Sequence, residues 1–292
     1  MKKARYLVEA LLLRLIMFVS GLLPPQQASA LGGFLGRMIG PRLSASRKAH
    51  RNIQTVLPDK GGQNHRKIVK GMWDNLGRVM FEYPHLEIIA KERTAIIGTQ
   101  HLKNLDKDKP LLVLSGHLGN WEICPPAFYH QHDFITHTVY RAPNNPLSDK
   151  LLLNARQKNN PLGFIPKGHE GTRTLVKFFK NKEMIGMLID QKYNEGPSVN
   201  FMGYPARTAT AFAELGHRFG AQMMPIHVER LPDCRFRLQI EPLQDMATRA
   251  PEEWVAIMHT YLDGWIRKNP QQWLWLHRRW RFSEIKTKTE NQ

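Results

Sequence analysis

In the stretch LLVLSGHLGNWEICPP, Leu111 to Pro126, an apolar run leads into a turn that carries His117 between Gly116 and Gly119, and Glu122 follows five residues after the imidazole. If a helix begins near Asn120, Glu122 lies in its first turn and can reach back to the ring. A carboxylate so placed accepts a hydrogen bond from one ring nitrogen, fixes the tautomer and leaves the other nitrogen free to take a proton from a hydroxyl. This is the acid-base part of a catalytic triad without its serine, which assigns the nucleophile to the substrate. Cys124 is the alternative nucleophile, but it stands two residues past Glu122 and before Pro125 and Pro126, a context that suits a buried packing cysteine.

Residues that position this chemistry can be read from the flanking pattern. Leu111 to Leu114 is continuously apolar, as a central strand buried on both faces requires, and ligands of open α/β sheets bind at the carboxyl ends of strands. From Thr94 onward the β-type runs AIIG, PLLVLSG, FITHTVY, LGFIP, MIGMLID, QMMPIHVE and FRLQI alternate with helical segments. That alternation predicts an α/β fold with helices on the faces of a mixed, mostly parallel sheet. Between Ser44 and Ala90, apolar residues such as Ile68, Met72, Leu76 and Val79 recur at helical spacing and predict a helical cap, with a turn at Pro58 to Asn64. The expected organisation is an anchor over residues 1–40 and one domain over 41–292, divided into a cap at 41–93 and an α/β core at 94–292.

The N-terminal segment has a basic start, an apolar run and a small-residue A-x-A at Ala28 to Ala30, features also found in cleaved signal peptides. Glu9 and Arg14 interrupt the apolar run. Each apolar residue favours membrane insertion by about 0.3 to 0.6 kcal/mol and each charge near a helix centre costs about 2.5 to 3.5 kcal/mol, so the sum is close to zero. Both flanks are basic, with Lys2, Lys3 and Arg5 before the run and Arg37, Arg42, Arg47 and Lys48 after it. The expectation is an uncleaved hydrophobic anchor helix, spanning or lying in the interface, with a cleaved signal as the alternative.

Lysine and arginine number 42 against 25 acidic residues, a formal charge of +17 with histidine neutral, which implies an anionic partner: nucleic acid, anionic lipid or an acidic protein. No nucleic-acid-reading motif, P-loop or zinc-ligand spacing is evident, and two cysteines make no disulfide framework. The segment PQQWLWLHRRWRF near the C-terminus places Trp273, Trp275 and Trp280 beside Arg278, Arg279 and Arg281. It suits either a headgroup-level surface or phosphate site, or a helix packed on the core with its arginines in solvent.

SGHLGNWE resembles the H-x-x-x-x-D/E motif of the lysophospholipid acyltransferases, and of the lipid A biosynthesis acyltransferase branch in particular. VYRAPNNPLSDKLLLNAR, from Val139 to Arg156, is similar to that branch's R-x-x-N-N-P block. The stretch from Met187 to Arg230 resembles its D-Q block and its F-x-G-x-x-A-x-T segment, and PQQWLWLHRRW resembles its closing signature. Lys192 departs from the more usual polar or acidic residue of the D-Q block. The resemblance covers nearly the whole chain. It implies a glycerolipid acyltransferase-like fold, and transfer of a lauroyl- or myristoyl-type chain from acyl carrier protein to a hydroxyl of a lipid A precursor. The location it implies is the cytoplasmic face of a bacterial inner membrane, with no cofactor, no metal and no nucleic acid.

Under that resemblance His117 is the base and Glu122 its partner, with Arg141, Asn144, Asn145, Arg156, Asp190, Gln191 and Arg207 binding substrate. On the residues alone, Arg141 and Arg156 suit phosphate or carboxylate, although Arg156 also suits a solvated face and Asn144-Asn145-Pro146 a simple turn. Asp190 borders the acceptor site or caps the following loop, and Arg207 and Thr208 open the next helix with Thr208 as N-cap. Other acceptor lipids with an acyl-coenzyme A donor, a lipid hydrolase, and a membrane-associated nucleic-acid-binding protein are the competing classes.

Overall fold

A computed structural model describes residues 2–140, 142–157, 164–166 and 169–280. Five helices come first: α1 (Lys2–Gly21), α2 (Pro25–Ile39), α3 (Ser46–Val56), α4 (Gly61–Glu82) and α5 (Leu86–Glu92). The core follows in the order β1 (Thr94–Ile97), β2 (Leu111–Ser115), α6 (Cys124–His132), β3 (His137–Tyr140), α7 (Pro146–Gln157), β4 (Phe164–Pro166), α8 (His169–Lys180) and β5 (Met184–Leu188). It closes with β6 (Ser198–Phe201), β7 (Tyr204–Arg207), α9 (Ala211–Arg218), β8 (Gln222–Leu231), β9 (Arg235–Ile240), β10 (Gln244–Asp245) and α10 (Pro251–Lys268).

The main sheet runs β1-β9-β8-β2-β5-β3-β4, with β10 beside the start of β8. Strands β8, β2, β5, β3 and β4 are parallel to one another, and β9 pairs antiparallel with β8. This is the mixed, mostly parallel sheet that the alternating pattern predicts, and each of the seven β-type runs contributes a strand. The β6–β7 hairpin is an addition that forms its own small sheet.

Every residue of β2 is buried, because both faces of the sheet are covered. Leu112 and Leu114 join one core cluster with Phe212 and Leu262, whereas Leu111 and Val113 join another with Ile89 and Phe128. A strand with apolar neighbours on both sides has no polar face to show, which explains its unbroken apolar run.

Residues 1–40 form two helices separated by a turn. α2 packs along α4 through small residues: a Cβ on Gly77 would lie 2.1 Å from the carbonyl oxygen of Gly32, so only glycine permits this backbone approach. α1 keeps one side on the protein, where Ala10 and Leu13 are buried and Tyr6 O accepts from Asn145 Nδ2. Its other side exposes Leu7, Val8, Leu11, Leu12, Leu15 and Phe18. Among the described residues, no helix is long and apolar enough to cross a membrane.

The C-terminal segment departs from both expectations for it. After a short 3-10 turn at Pro270–Gln272, residues 273–280 are not helical, and Trp273, Trp275, Arg279 and Trp280 are fully buried. Their indoles find acceptors inside the protein, Trp275 Nε1 on Pro270 O and Trp280 Nε1 on Phe201 O, so the aromatic residues close the core rather than line a surface.

Two core histidines make stability depend on pH. Burial and the neighbouring Lys268 lower His227 to about 4, and burial and Arg279 lower His259 to about 4, against an ordinary 6.5. The unfolded chain therefore takes up these protons first as pH falls. Their contribution is fully present above pH 6.5 and is lost progressively toward pH 4. By pH 5 the expected loss is ~2 kcal/mol for each residue. Denaturant midpoints at pH 7 and pH 5 measure it, and equal midpoints would refute it.

Candidate active site

β2 and β5 are hydrogen-bonded neighbours in the register Ser115↔Leu188, so the residues just past each strand meet at the same edge of the sheet. His117 leaves β2 and Asp190 leaves β5. The His117 backbone N–H donates to Asp190 Oδ2 at 2.8 Å, and ring Nδ1 lies 2.7 Å from Oδ1. Trp273 Nε1 donates to Oδ2 at 2.7 Å. Burial pushes the Asp190 carboxyl up, but the charge of His117 and the donors from His117 and Trp273 outweigh it and hold the group well below the usual carboxylate range. An ionised carboxylate only accepts, so Nδ1 carries a hydrogen and Nε2 is left as the basic nitrogen.

Asp190 therefore holds the place that the sequence assigns to Glu122. The segment Trp121–Ile123 forms a 3-10 turn, with Asn120 Oδ1 accepting from Glu122 N–H, and α6 begins only at Cys124. In that turn Trp121 is the residue that meets the imidazole, edge-on with centroids 5.0 Å apart. Glu122 instead accepts from Arg156 Nε at 2.8 Å and Nη2 at 2.5 Å, from Tyr83 Oη at 2.7 Å and from Trp121 Nε1 at 3.1 Å. Although burial pushes its carboxyl up, Arg156 and these donors keep it below the ordinary carboxylate value.

The other expected binding residues divide three ways. Arg156 lines the cavity, but its guanidinium fork is already engaged by Glu122, so it is neither a solvated residue nor an open phosphate ligand. Gln191 belongs to the site, with its Nε2 3.2 Å from His117 Nε2 and 3.4 Å from His277 Nε2. Asn145 does not line the cavity: it accepts from Leu147 N–H at the start of α7 and donates to Tyr6 O and Glu9, a structural tie between α7 and α1. Asn144 is exposed. Arg207 ends β7 and donates to Gly196 O, and Thr208 is buried two residues before the N-cap position at Thr210. The hairpin β6–β7 displaces the start of the expected helix. Arg141 lies outside the described residues.

A cavity of 580 Å³ opens beside these groups. His117, Glu122 and Arg156 line its polar part, and Val113, Phe128 and Leu86 line an apolar part between the sheet and the α5–α6 layer. A recess with apolar walls and a few convergent polar groups is the form of a site for a long apolar ligand with a reactive head. Cys124 also lines the recess, but burial and the nearby Glu122 push its thiol up to about 12, so it stays protonated and is no nucleophile at neutral pH. Among the described residues, no three His, Cys, Asp or Glu side chains converge as a metal site.

The loop that carries His117 is fixed from below. Gly119 has φ +55°, and a Cβ there would meet the carbonyl oxygen of Val228 at 2.3 Å, so a side chain is excluded on both counts. Asn120 donates to the buried Glu82, which also accepts from Ser29 and pairs with Arg230. Glu82, Tyr83, Arg230 and Trp273 are absent from the site read in the sequence. Trp273 had a signal there as part of the closing signature, and Arg230 as the last residue of the Met187–Arg230 block.

Residues 1–282 match the profile of the family described as bacterial lipid A biosynthesis acyltransferase. The chain belongs to that family. It is 28% identical over 249 residues to the lipid A biosynthesis lauroyltransferase of Escherichia coli (strain K12), covering 80% of this chain and 78% of that protein. It is 23% identical over 271 residues to the lipid A biosynthesis palmitoleoyltransferase of the same organism, covering 86% and 84%. Among solved structures it is similar to the 1-acyl-sn-glycerophosphate acyltransferase of Thermotoga maritima, with 11% identity, a TM-score of 0.40 and coverage of 82% of this chain and 96% of that one. As a member of the lipid A acyltransferase family the chain is an O-acyltransferase.

Proposed function

We propose that this acyltransferase moves a lauroyl- or myristoyl-type chain from acyl carrier protein to a hydroxyl of a lipid A precursor. The observation that carries the mechanism is the His117–Asp190 pair, whose imidazole lines the cavity. His117 Nε2 takes the proton of the acceptor hydroxyl while Asp190 stabilises the imidazolium that forms. The oxygen attacks the thioester carbonyl, and the thiol leaves with a proton returned from His117. No acyl-enzyme is required, and the protonated, buried Cys124 supports direct attack. The charge of +17 suits an acidic carrier and a phosphorylated acceptor, both anions.

Attachment to the cytoplasmic face of the inner membrane is part of the same reading. The exposed apolar faces of α1 and of α2, where Phe34, Met38 and Ile39 face outward, support in-plane insertion next to the basic residues Lys2, Lys3 and Arg5. Leu11→Glu combined with Leu15→Glu is expected to release the protein from anionic vesicles in a flotation assay. Undiminished flotation would overturn this mode of attachment.

The reaction is tested with purified protein in mixed micelles, with lauroyl- and myristoyl-acyl carrier protein as donors and a tetra-acylated lipid A precursor as acceptor. Mass spectrometry is expected to show the acceptor heavier by one acyl group. Free fatty acid without acylated lipid would identify a hydrolase, and turnover confined to acyl-coenzyme A would exclude the carrier as donor.

A further inference from the structure

Residues 272–274 of the closing segment are bound to the turn that carries His117. Gly119 N–H donates to Gln272 O at 3.0 Å and Leu274 N–H to His117 O at 3.1 Å, and Leu118 and Trp273 form an antiparallel bridge. Asn52, on the buried side of α3, holds the outer side of the segment by donating to Trp275 O and His277 O. Trp273 is packed edge-on against Trp275 and Trp280, so its indole has one place to point, and its N–H meets Asp190 Oδ2.

We propose that Trp273 is a positioning residue of the general base: its indole N–H, held by the closing segment, fixes the Asp190 carboxylate and so sets both the orientation and the basicity of His117. This inference rests on the acyl-transfer reading for its catalytic consequence, but not for its physical content.

The two oxygens of Asp190 have different partners. Oδ1 serves the imidazole, while Oδ2 receives two donors, His117 N–H and Trp273 Nε1–H. Without the indole donor the carboxylate keeps more of its negative charge for the ring and gains freedom to rotate. The first effect raises the proton affinity of His117, and the second loosens the direction of Nε2. A base that holds its proton too firmly returns it slowly to the leaving thiol, so both effects act on turnover rather than on substrate affinity. Other charged and titratable groups around the pair are Arg279, the second imidazole His277 and the Glu122–Arg156 ion pair. All of these remain when the indole nitrogen alone is changed.

The test replaces the indole by a benzothiophene, using benzothienylalanine at position 273, with Trp273→Phe as a second variant. The benzothiophene keeps the shape and loses only the N–H. In protein labelled with ¹⁵N-histidine, the titration midpoint of His117 is expected to move upward, by up to about one pH unit for loss of a charge-assisted donor. This readout does not depend on the reaction being the one proposed. An unmoved midpoint and tautomer in the folded benzothienylalanine protein would overturn the proposal.

In the acyl-transfer assay, kcat is expected to fall about tenfold with KM unchanged, and this loss should disappear in an Asp190→Asn background, because the indole acts only through that carboxylate. An undiminished loss in that background would show that Trp273 does not act through Asp190. An altered midpoint together with absence of acyl transfer by the unaltered protein would reject the functional reading while leaving the positioning role standing.

Discussion

Asp190→Asn should lower turnover about as far as His117→Ala, by ~10²- to 10⁴-fold, with the fold intact. The reason lies in what the carboxylate accepts. Oδ2 receives two fixed donors, His117 N–H and Trp273 Nε1–H, and Oδ1 faces the imidazole Nδ1. An asparagine has one carbonyl oxygen, and the two fixed donors claim it. Its amide then points an N–H at Nδ1, which can accept only in the opposite tautomer. Nε2 consequently carries the ring proton and cannot take one from a hydroxyl. Combining the two substitutions should add little to either, because the residues act as one unit. Turnover by a folded Asp190→Asn protein within a few-fold of normal would remove Asp190 from the mechanism.

Glu122→Ala should act first on stability, with a loss of ~3 to 5 kcal/mol. Arg156 would remain in a mostly buried position without its counter-charge, and Tyr83 and Trp121 would each lose an acceptor. Breaking a buried pair costs more than deleting it, so Glu122→Ala with Arg156→Leu is expected to recover much of the loss. Turnover falls too, since both side chains line the cavity next to His117, but the tautomer of His117 is unaffected because Asp190 sets it. Denaturant unfolding and histidine NMR separate the two effects. Full stability in Glu122→Ala, or a changed His117 tautomer, would contradict this assignment.

The contrast between these carboxylates shows how far local spacing could be trusted. His117 was legible because strand, glycine turn and imidazole follow one another directly, and β2 is a strand that its own apolar residues dictate. Glu122 is equally close in sequence, and the spacing allowed it to reach the ring. The 3-10 turn capped by Asn120 put Trp121 against the imidazole instead and sent the carboxylate to Arg156. Asp190 could be placed on the sheet edge but not paired with His117, since nothing local states that β2 and β5 are neighbours while β3 and β4 intervene in the chain. Asn145 shows the reverse case, a residue in a family block that serves as a cap and a tie to α1.

The seven β-type runs, the helical spacing between Ser44 and Ala90, the position of the turn that carries His117 and the family were all determined by the sequence alone, because apolar periodicity and short motifs are local properties. Tertiary structure decided which carboxylate meets the His117 imidazole, that Arg156 is occupied by Glu122, and that the tryptophans of the closing signature are core rather than surface. Each of those outcomes depends on strand register or on contacts between segments far apart in the chain. A hydrogen bond is directional over less than about 3.2 Å, so a single strand register or a single turn of backbone reassigns it.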